Sequence, residues 1–235
     1  MTTRTAEQSP LLYARVAGLL YLLVVPLGIF GLYATSSLIV PGDAATTANN
    51  LRVSESLFRF GIVSDLLASI VMILVVIALY PLFKPVNGTM ALLMVMLLLP
   101  GVPIAMLNKL NQFAALLLLS GADYLGAFPT EQLQAMALLL LRLHNSGTGI
   151  AFIFWGLWLF PLGYLVFKSG FLPKILGILL MVGCFGYLID SFATFLGYGV
   201  NIGMFAALAE MVFLLWLLIK GVNAEQWRKR AAESA

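Results

Sequence analysis

Five ionisable side chains stand inside long apolar stretches of this sequence, where an isolated charge is costly. They are two aspartates, one glutamate, one lysine and the single histidine: Asp65, Lys109, His144, Asp190 and Glu210. Ionisable residues in such segments mark ligand, ion or proton sites by default, and imidazole exchanges a proton most readily near neutral pH. The combination therefore predicts a polar binding site or a proton pathway.

Seven further polar residues accompany these five as secondary candidates. Three of them share one helix face with Asp190, because their spacing follows the helical period. Glu55 precedes Arg59 by four residues, so an ordinary helix-surface ion pair is the leading interpretation for that arginine. The secondary candidates are Arg59, Asn108, Arg142, Asn145, Tyr187, Ser191 and Thr194.

The residue inventory excludes several catalytic classes. A zinc hydrolase needs several His or Cys ligands, and this chain has one His and one Cys, Cys184. The same count excludes a haem held by two histidines, and the sequence contains neither a Gly-rich phosphate loop nor a GxSxG turn. The three embedded carboxylates could hold Mg²⁺ or Ca²⁺ only unspecifically. We therefore predict no metal site and no cofactor.

The elements that must position these residues follow from the composition. Of 235 residues, 62% are hydrophobic and 10% are charged, whereas about 25% are charged in a soluble domain. Membrane-crossing helices need about 20 apolar residues each. The sequence predicts an all-α, polytopic membrane protein in one domain, 1–235, with a basic tail at 221–235 and six transmembrane helices: 11–33, 57–82, 89–112, 147–167, 173–196 and 201–220.

The basic residues predict how the chain is oriented. Nine of the 13 lysines and arginines fall at or near the predicted inner ends of the six spans. Cytoplasmic loops carry such an excess, so we expect both termini to be cytoplasmic in the cell membrane. The basic tail is then a lipid anchor, with membrane lipids as partners and no nucleic acid. The nine residues are Arg4, Arg15, Lys84, Lys168, Lys174, Lys220, Arg228, Lys229 and Arg230.

Two longer outer connections are predicted to form short amphipathic lid helices. In the first, Asp43 can cap a helix after Pro41 and Gly42. In the second, Thr130 can cap a helix that opens with Glu131. The apolar face of the first lid would contain Ala44, Ala45, Ala48 and Leu51.

The third span carries its own signals. Pro100 and Pro103 predict a kink. Lys109 then lies at the outer end of the span, about 30 Å from its inner end. Residues 113–120 either project beyond the membrane or fold back into it.

Several blocks of the sequence carry a resemblance to a known family. They are "ARVAGLLYLL" (14–23), "IVPGDAATTANNL" (39–51), "LFRFGIVSDLL" (57–67), "WGLWLFPLGYLVFKSGFLPKILGILL" (155–180) and "GYLIDSF" (186–192). In these blocks the chain resembles a bacterial family of multi-pass membrane proteins classed only as a domain of unknown function. The resemblance implies an integral membrane protein with this helix order, and it implies no activity. Asp43, Arg59, Asp65 and Asp190 lie inside the resembling blocks.

The functional hypotheses follow from where the charges fall. Counted at about 1.5 Å per residue from the predicted inner helix ends, the five ionisable residues lie in the outer half or the middle of the membrane. The leading hypothesis is binding, extended to transport, of a small polar or amphipathic molecule or lipid in an outward-facing pocket that these residues line. One alternative is a membrane-embedded lipid-modifying enzyme, with a carboxylate as general base and His144 as acid. Another is a structural or partner-binding protein whose charges form internal pairs. The excluded classes favour binding over catalysis.

Overall fold

The computed structural model describes residues 9–234, and within that range the chain is helical with no β-strand. Arg4, one of the residues used above to predict orientation, lies outside the described residues. The all-α prediction is confirmed. The helices are α1 (Pro10–Ser36), α2 (Ala44–Val53), α3 (Glu55–Phe83), α4 (Gly88–Leu98), α5 (Gly101–Leu118), α6 (Thr130–Leu157), α7 (Leu159–Ser169), α8 (Lys174–Phe195), α9 (Gly203–Ile219) and α10 (Ala224–Glu233).

Five helical segments are long and apolar enough to cross a membrane. A sixth consists of α9 and α10 if these two helices, which are bent by 99°, count as one span. The five segments overlap five of the predicted spans, and α9 lies at the predicted sixth, so the chain is a multi-pass membrane protein. The five segments are Pro10–Ser36, Glu55–Phe83, Gly88–Leu118, Thr130–Ser169 and Lys174–Phe195.

The third segment, Gly88–Leu118, is interrupted once. Its helix stops at Leu98 and resumes at Gly101, because Pro100 has no N–H to continue the ladder. Pro103 sits in the first turn of α5, where that N–H is not needed. Of the two predicted courses for residues 113–120, the structure shows no fold-back within the helix: residues 113–118 prolong α5, since Ala and Leu are strong helix formers.

The second predicted lid is also wrong as a separate element. Thr130 begins α6, which runs without interruption to Leu157. Asn145, Ser146 and Gly147 do not end it, and the neighbouring hydroxyls bond back to carbonyls one turn earlier in the same helix. The hydroxyl of Ser146 donates to the carbonyl of Arg142 at 3.4 Å, and that of Thr148 to the carbonyl of His144 at 2.9 Å. The predicted lid and the fourth span are therefore one helix.

The first lid, α2, forms as predicted, with a difference in its buried face. The Asp43 carboxylate accepts a hydrogen bond from the Thr46 backbone at 2.9 Å and from the Thr46 hydroxyl at 2.6 Å. These bonds, the one from the hydroxyl above all, lower the pKa of Asp43 below its ordinary value of 3.8. The buried residues of α2 are Thr47, Ala48 and Leu51, whereas Ala45 is exposed.

The helices group into two compact units within the described residues. Unit 1 comprises 9–23, 71–102 and 149–234, and unit 2 comprises 24–70 and 103–148. Several helices contribute to both, since α1, α3, α5 and α6 each contain residues of both units. A single domain stays a prediction, and each unit is described by itself.

Unit 2 has a contiguous apolar core under α2. Leu51 of α2 and Phe58 of α3 are completely buried there. The lid is tied down further, because Arg52 donates to the carbonyl of Leu119 at 3.3 Å. The buried core consists of Leu38, Ala48, Leu51, Phe58, Ile62, Ala115, Leu116, Leu119, Ala137 and Leu141.

Unit 1 is built on close contact between α7 and α8. A Cβ added to Gly163 would lie 2.6 Å from the carbonyl oxygen of Gly177, so only glycine lets the two backbones approach this closely. The tail also belongs to this unit. Its α10 carries the buried Trp227, whose indole N–H donates to the carbonyl of Leu82 at 2.9 Å, and it is thus a docked helix.

Candidate functional site

The five predicted site residues fall into two groups. Asp65, Lys109 and His144 belong to unit 2, and Asp190 and Glu210 belong to unit 1. Each group has its own polar contacts.

In unit 2, Asp65 of α3 and Lys109 of α5 form an ion pair, with 2.5 Å between Oδ2 and Nζ. The two side chains are 20% and 14% exposed, respectively. A Cβ added to Gly31 of α1 would collide with the carboxylate, so that glycine leaves room for Asp65. The lysine embedded in the third span thus has its counter-ion forty-four residues earlier in the chain.

His144 of α6 completes this group. Its Nε2 lies 3.5 Å from Nζ of Lys109, and its Nδ1 lies 3.2 Å from the carbonyl oxygen of Asn108. A carbonyl oxygen only accepts, so this contact assigns the proton to Nδ1 and leaves a lone pair on Nε2 facing the ammonium group. The imidazole is then neutral. We call Asp65, Lys109 and His144 the charge-paired group, and its net charge is zero.

Asn108, a secondary candidate, holds this group in place. Its side-chain amide donates to the carbonyl of His144 at 2.7 Å and to the hydroxyl of Thr148 at 3.2 Å. Asn111 in turn donates to the Asn108 side-chain oxygen at 2.9 Å. A Cβ on Gly147 would collide with that side chain. The side-chain amide therefore cross-links α5 to α6, and the backbone carbonyl of Asn108 contacts the imidazole ring.

In unit 1, Glu210 of α9 accepts hydrogen bonds from two tyrosines on two other helices. Tyr21 of α1 donates to Oε1, and Tyr187 of α8 donates to Oε2 at 2.7 Å. Tyr21 is buried, whereas Glu210 and Tyr187 retain some exposed surface. Within residues 9–234, no lysine, arginine or histidine forms an ion pair with this carboxylate.

Aromatic rings surround both tyrosines. Phe152 stacks on Tyr187, with 5.4 Å between ring centroids, and its edge meets Trp155 at 5.2 Å. Trp158 packs beside Tyr21 at 6.1 Å. We call Glu210, its two tyrosines and these three rings the phenol-carboxylate group. Its polar centre is one carboxyl group that two phenols contact, beside three aromatic rings.

Asp190 has a different role in unit 1. Its carboxylate accepts from the backbone N–H groups of Ile202 at 2.8 Å and Gly203 at 2.6 Å, which are orphan donors at the start of α9. Thr194 donates to the Asp190 carbonyl at 2.8 Å, a bond within α8. Both residues serve helix geometry, and Asp190 joins α8 to α9.

The remaining secondary candidates lie apart from these groups. The predicted ion pair between Arg59 and Glu55 is confirmed, at 2.7 Å, with both side chains about half exposed. Arg142 and Asn145 are exposed, and Ser191 is buried with no hydrogen-bond partner for its hydroxyl among the described residues. Among residues 9–234, no three His, Cys, Asp or Glu side chains come close enough together to hold a metal ion.

Sequence reasoning missed Tyr21 and Gly31. Tyr21 carries a phenol inside an apolar stretch. Because a buried phenol hydroxyl usually has a hydrogen-bond partner, the sequence did contain a signal for it. Its partner lies 189 residues away, however, and no spacing rule connects them. Gly31 gave no signal, because glycine in a membrane helix is common.

Comparisons with known proteins identify the family of the chain. A family sequence profile described as a domain of unknown function, DUF4386, matches residues 16–221, which confirms the resemblance found in the sequence blocks. An uncharacterised protein of the archaeon Archaeoglobus fulgidus is 49% identical over 72 residues, which cover 31% of this chain and 44% of that relative. The bacterial origin implied by the resemblance is not shown by this archaeal relative. No solved structure matches the chain.

Proposed function

This chain belongs to the DUF4386 family, and from that premise we propose that it is a cell-membrane protein that binds a small polar or amphipathic molecule at the charge-paired group. The binding molecule contacts Lys109 and Asp65 with its polar part. Its apolar part lies along the surrounding helices, as a lipid would. Both termini face the cytoplasm in this proposal, which rests on the distribution of basic residues.

The observation that carries the proposal is that the Asp65–Lys109 ion pair is partly accessible at the protein surface. Its two side chains keep 14% and 20% of their surface accessible, although they stand on helices apolar enough to cross a membrane. A pair that served only to fix helix register would be expected to lose all access to other molecules. The accessible part of the pair is where a ligand can form hydrogen bonds.

The charges in the group favour one class of ligand. Lys109 has three N–H donors, of which one meets Asp65 and one faces His144, so a third remains for an acceptor. Since the net charge of the group is zero, a neutral or zwitterionic polar head would bind without leaving an uncompensated charge. A hydroxyl, amide or zwitterionic head group fits this requirement.

Native mass spectrometry of gently purified protein tests the proposal. The wild type should retain a defined mass that is not detergent. The double substitution Asp65→Asn/Lys109→Met removes the ion pair without stranding a charge, and we expect it to lose that mass while remaining folded. The matched control is Glu55→Gln/Arg59→Gln, which removes an exposed ion pair from the same unit and should retain the mass.

Two results would reject the proposal. If the double variant retains the same mass as the wild type, the charge-paired group is not the binding site. If the wild type carries only heterogeneous phospholipid, and the double variant is as stable as the wild type, the pair is structural. The control separates both results from a general effect of removing charges.

A further inference from the structure

Unit 1 contains a second polar group, whose carboxylate has no cationic partner among residues 9–234. We propose that the phenol-carboxylate group is a binding site for an organic ammonium ion, in which Glu210 supplies the charge and the aromatic rings supply the walls. This site is independent of the one in unit 2, so either proposal can fail alone.

The first step of the argument is the state of the carboxylate. Tyr21 and Tyr187 each contact a different oxygen of Glu210, and this arrangement suits an ionised carboxylate, which only accepts. Two neutral donors orient the charge but do not neutralise it. A carboxylate with little access to water binds a cation favourably, and within residues 9–234 no lysine, arginine or histidine pairs with Glu210.

The second step is the choice of cation. The ring faces of tyrosine, tryptophan and phenylalanine attract cations, and quaternary ammonium groups are recognised by such aromatic walls. Phe152 stacks on Tyr187, and Trp158 packs beside Tyr21, so rings adjoin both phenols that hold the carboxylate. A metal cation would instead need several more hard oxygen ligands, whereas the neighbours of the two phenols are rings.

The third step is access. Glu210 and Tyr187 retain exposed surface, as do Phe152 and Trp155. In this proposal, the ligand approaches the carboxylate from the side on which these partly exposed residues lie. An amphipathic ammonium compound would place its charge at Glu210 and its apolar part against the helices.

The test uses the whole protein in detergent, with its tryptophan fluorescence as the readout, because Trp155 and Trp158 belong to the group. Tetramethylammonium chloride and sodium chloride are titrated separately at constant total ionic strength. We expect a saturable change with tetramethylammonium alone, about tenfold weaker binding in Glu210→Gln, and wild-type binding in Glu55→Gln. The latter removes an exposed carboxylate and is the matched control.

Each other result overturns the proposal. An equal response to sodium would indicate a metal-cation site. A wild type that responds only to pH, with the response lost in Glu210→Gln, would indicate a proton site. No wild-type response, or unchanged binding in Glu210→Gln, would remove the site. If that variant does not fold, Tyr187→Phe replaces it and should weaken binding severalfold, and the wild-type comparison of the two salts remains decisive.

Discussion

The two units hold their embedded charges in different ways. In unit 2 the Asp65 carboxylate meets a lysine at 2.5 Å, and a neutral histidine stands on the other side of that lysine. In unit 1 the Glu210 carboxylate meets two phenols and, within the described residues, no cation. In the two proposals made above, the self-neutralised group binds a neutral or zwitterionic ligand, and the carboxylate without a described cation binds a positive one. The proposals therefore differ because the described partners of the two carboxylates differ.

The largest predicted effect comes from breaking the pair in unit 2. Lys109→Met leaves Asp65, whose side chain is 20% exposed, without its cation. We expect a loss of about 3 kcal/mol in the free energy of unfolding, since stranding a largely buried charge is strongly destabilising. Adding Asp65→Asn should restore at least half of that loss. Unfolding in detergent, followed by circular dichroism, measures both. A double variant no more stable than Lys109→Met would show that the two residues act separately.

A smaller loss is expected on removing one phenol in unit 1. Tyr187→Phe keeps the ring stacked on Phe152 but deletes a hydrogen bond of 2.7 Å to Glu210. A bond to a charged acceptor contributes about 2 kcal/mol, and the free energy of unfolding should fall by that amount. Combining Tyr187→Phe with Glu210→Gln should reduce the effect of the tyrosine substitution, because the acceptor is no longer charged. An equal effect in both backgrounds would mean that Glu210 is neutral in the wild type.

The next prediction contrasts the two carboxylates directly. Glu210→Gln breaks no ion pair among the described residues and keeps an oxygen and an amide between the two tyrosines. We expect the free energy of unfolding to change by less than about 1 kcal/mol, far less than for Lys109→Met. The same unfolding measurement decides this, provided that no ammonium compound is present. A loss as large as that of Lys109→Met would indicate that Glu210 has a permanent cationic partner.

Whether a feature of the fold could be predicted from the sequence depends on how far apart along the chain the interacting residues lie. The spans, the Asp43 cap and the pair of Glu55 with Arg59 were predictable, because hydropathy, capping and the four-residue helix spacing are local. The second lid was predicted wrongly, because Asn145 and Gly147 resemble helix ends in sequence. In the folded chain, Gly147 instead provides room for Asn108.

The candidate sites were predictable by residue type but not by partnership. Asp65, Lys109 and Glu210 stood out because charge is rare in apolar helices. Which charges would meet depends on how helices far apart in the chain pack together, and that is a tertiary property. Sequence reasoning therefore placed Glu210 in a common pocket with Lys109, whereas its described partners are two tyrosines.

The surface ion pair in unit 2 provides a reference for the buried one. Arg59→Gln removes the bond to Glu55, whose side chain is about half exposed, as is that of Arg59. An exposed pair at this helix spacing contributes about 0.3–0.5 kcal/mol, so the loss should be small and should shrink further in high salt. Unfolding at low and high ionic strength checks both expectations. A salt-independent loss above 1 kcal/mol would remove the distinction between the two pairs.

The smallest expected effect concerns Asp43, a third carboxylate, which water and hydrogen bonds stabilise without a cation. Because Thr46 donates to its ionised form, the pKa of Asp43 lies below 3.8, so the cap is complete above the ordinary pKa and is lost as pH falls through the lowered value. Hydrogen exchange of the first turn of α2 should therefore become faster, relative to other helices, only in acid. Asp43→Asn, which caps a helix without titrating, should remove this acid dependence. If it does, hydrogen bonds alone stabilise an exposed carboxylate, and Asp43 becomes the exposed reference against which the less accessible Glu210 is compared.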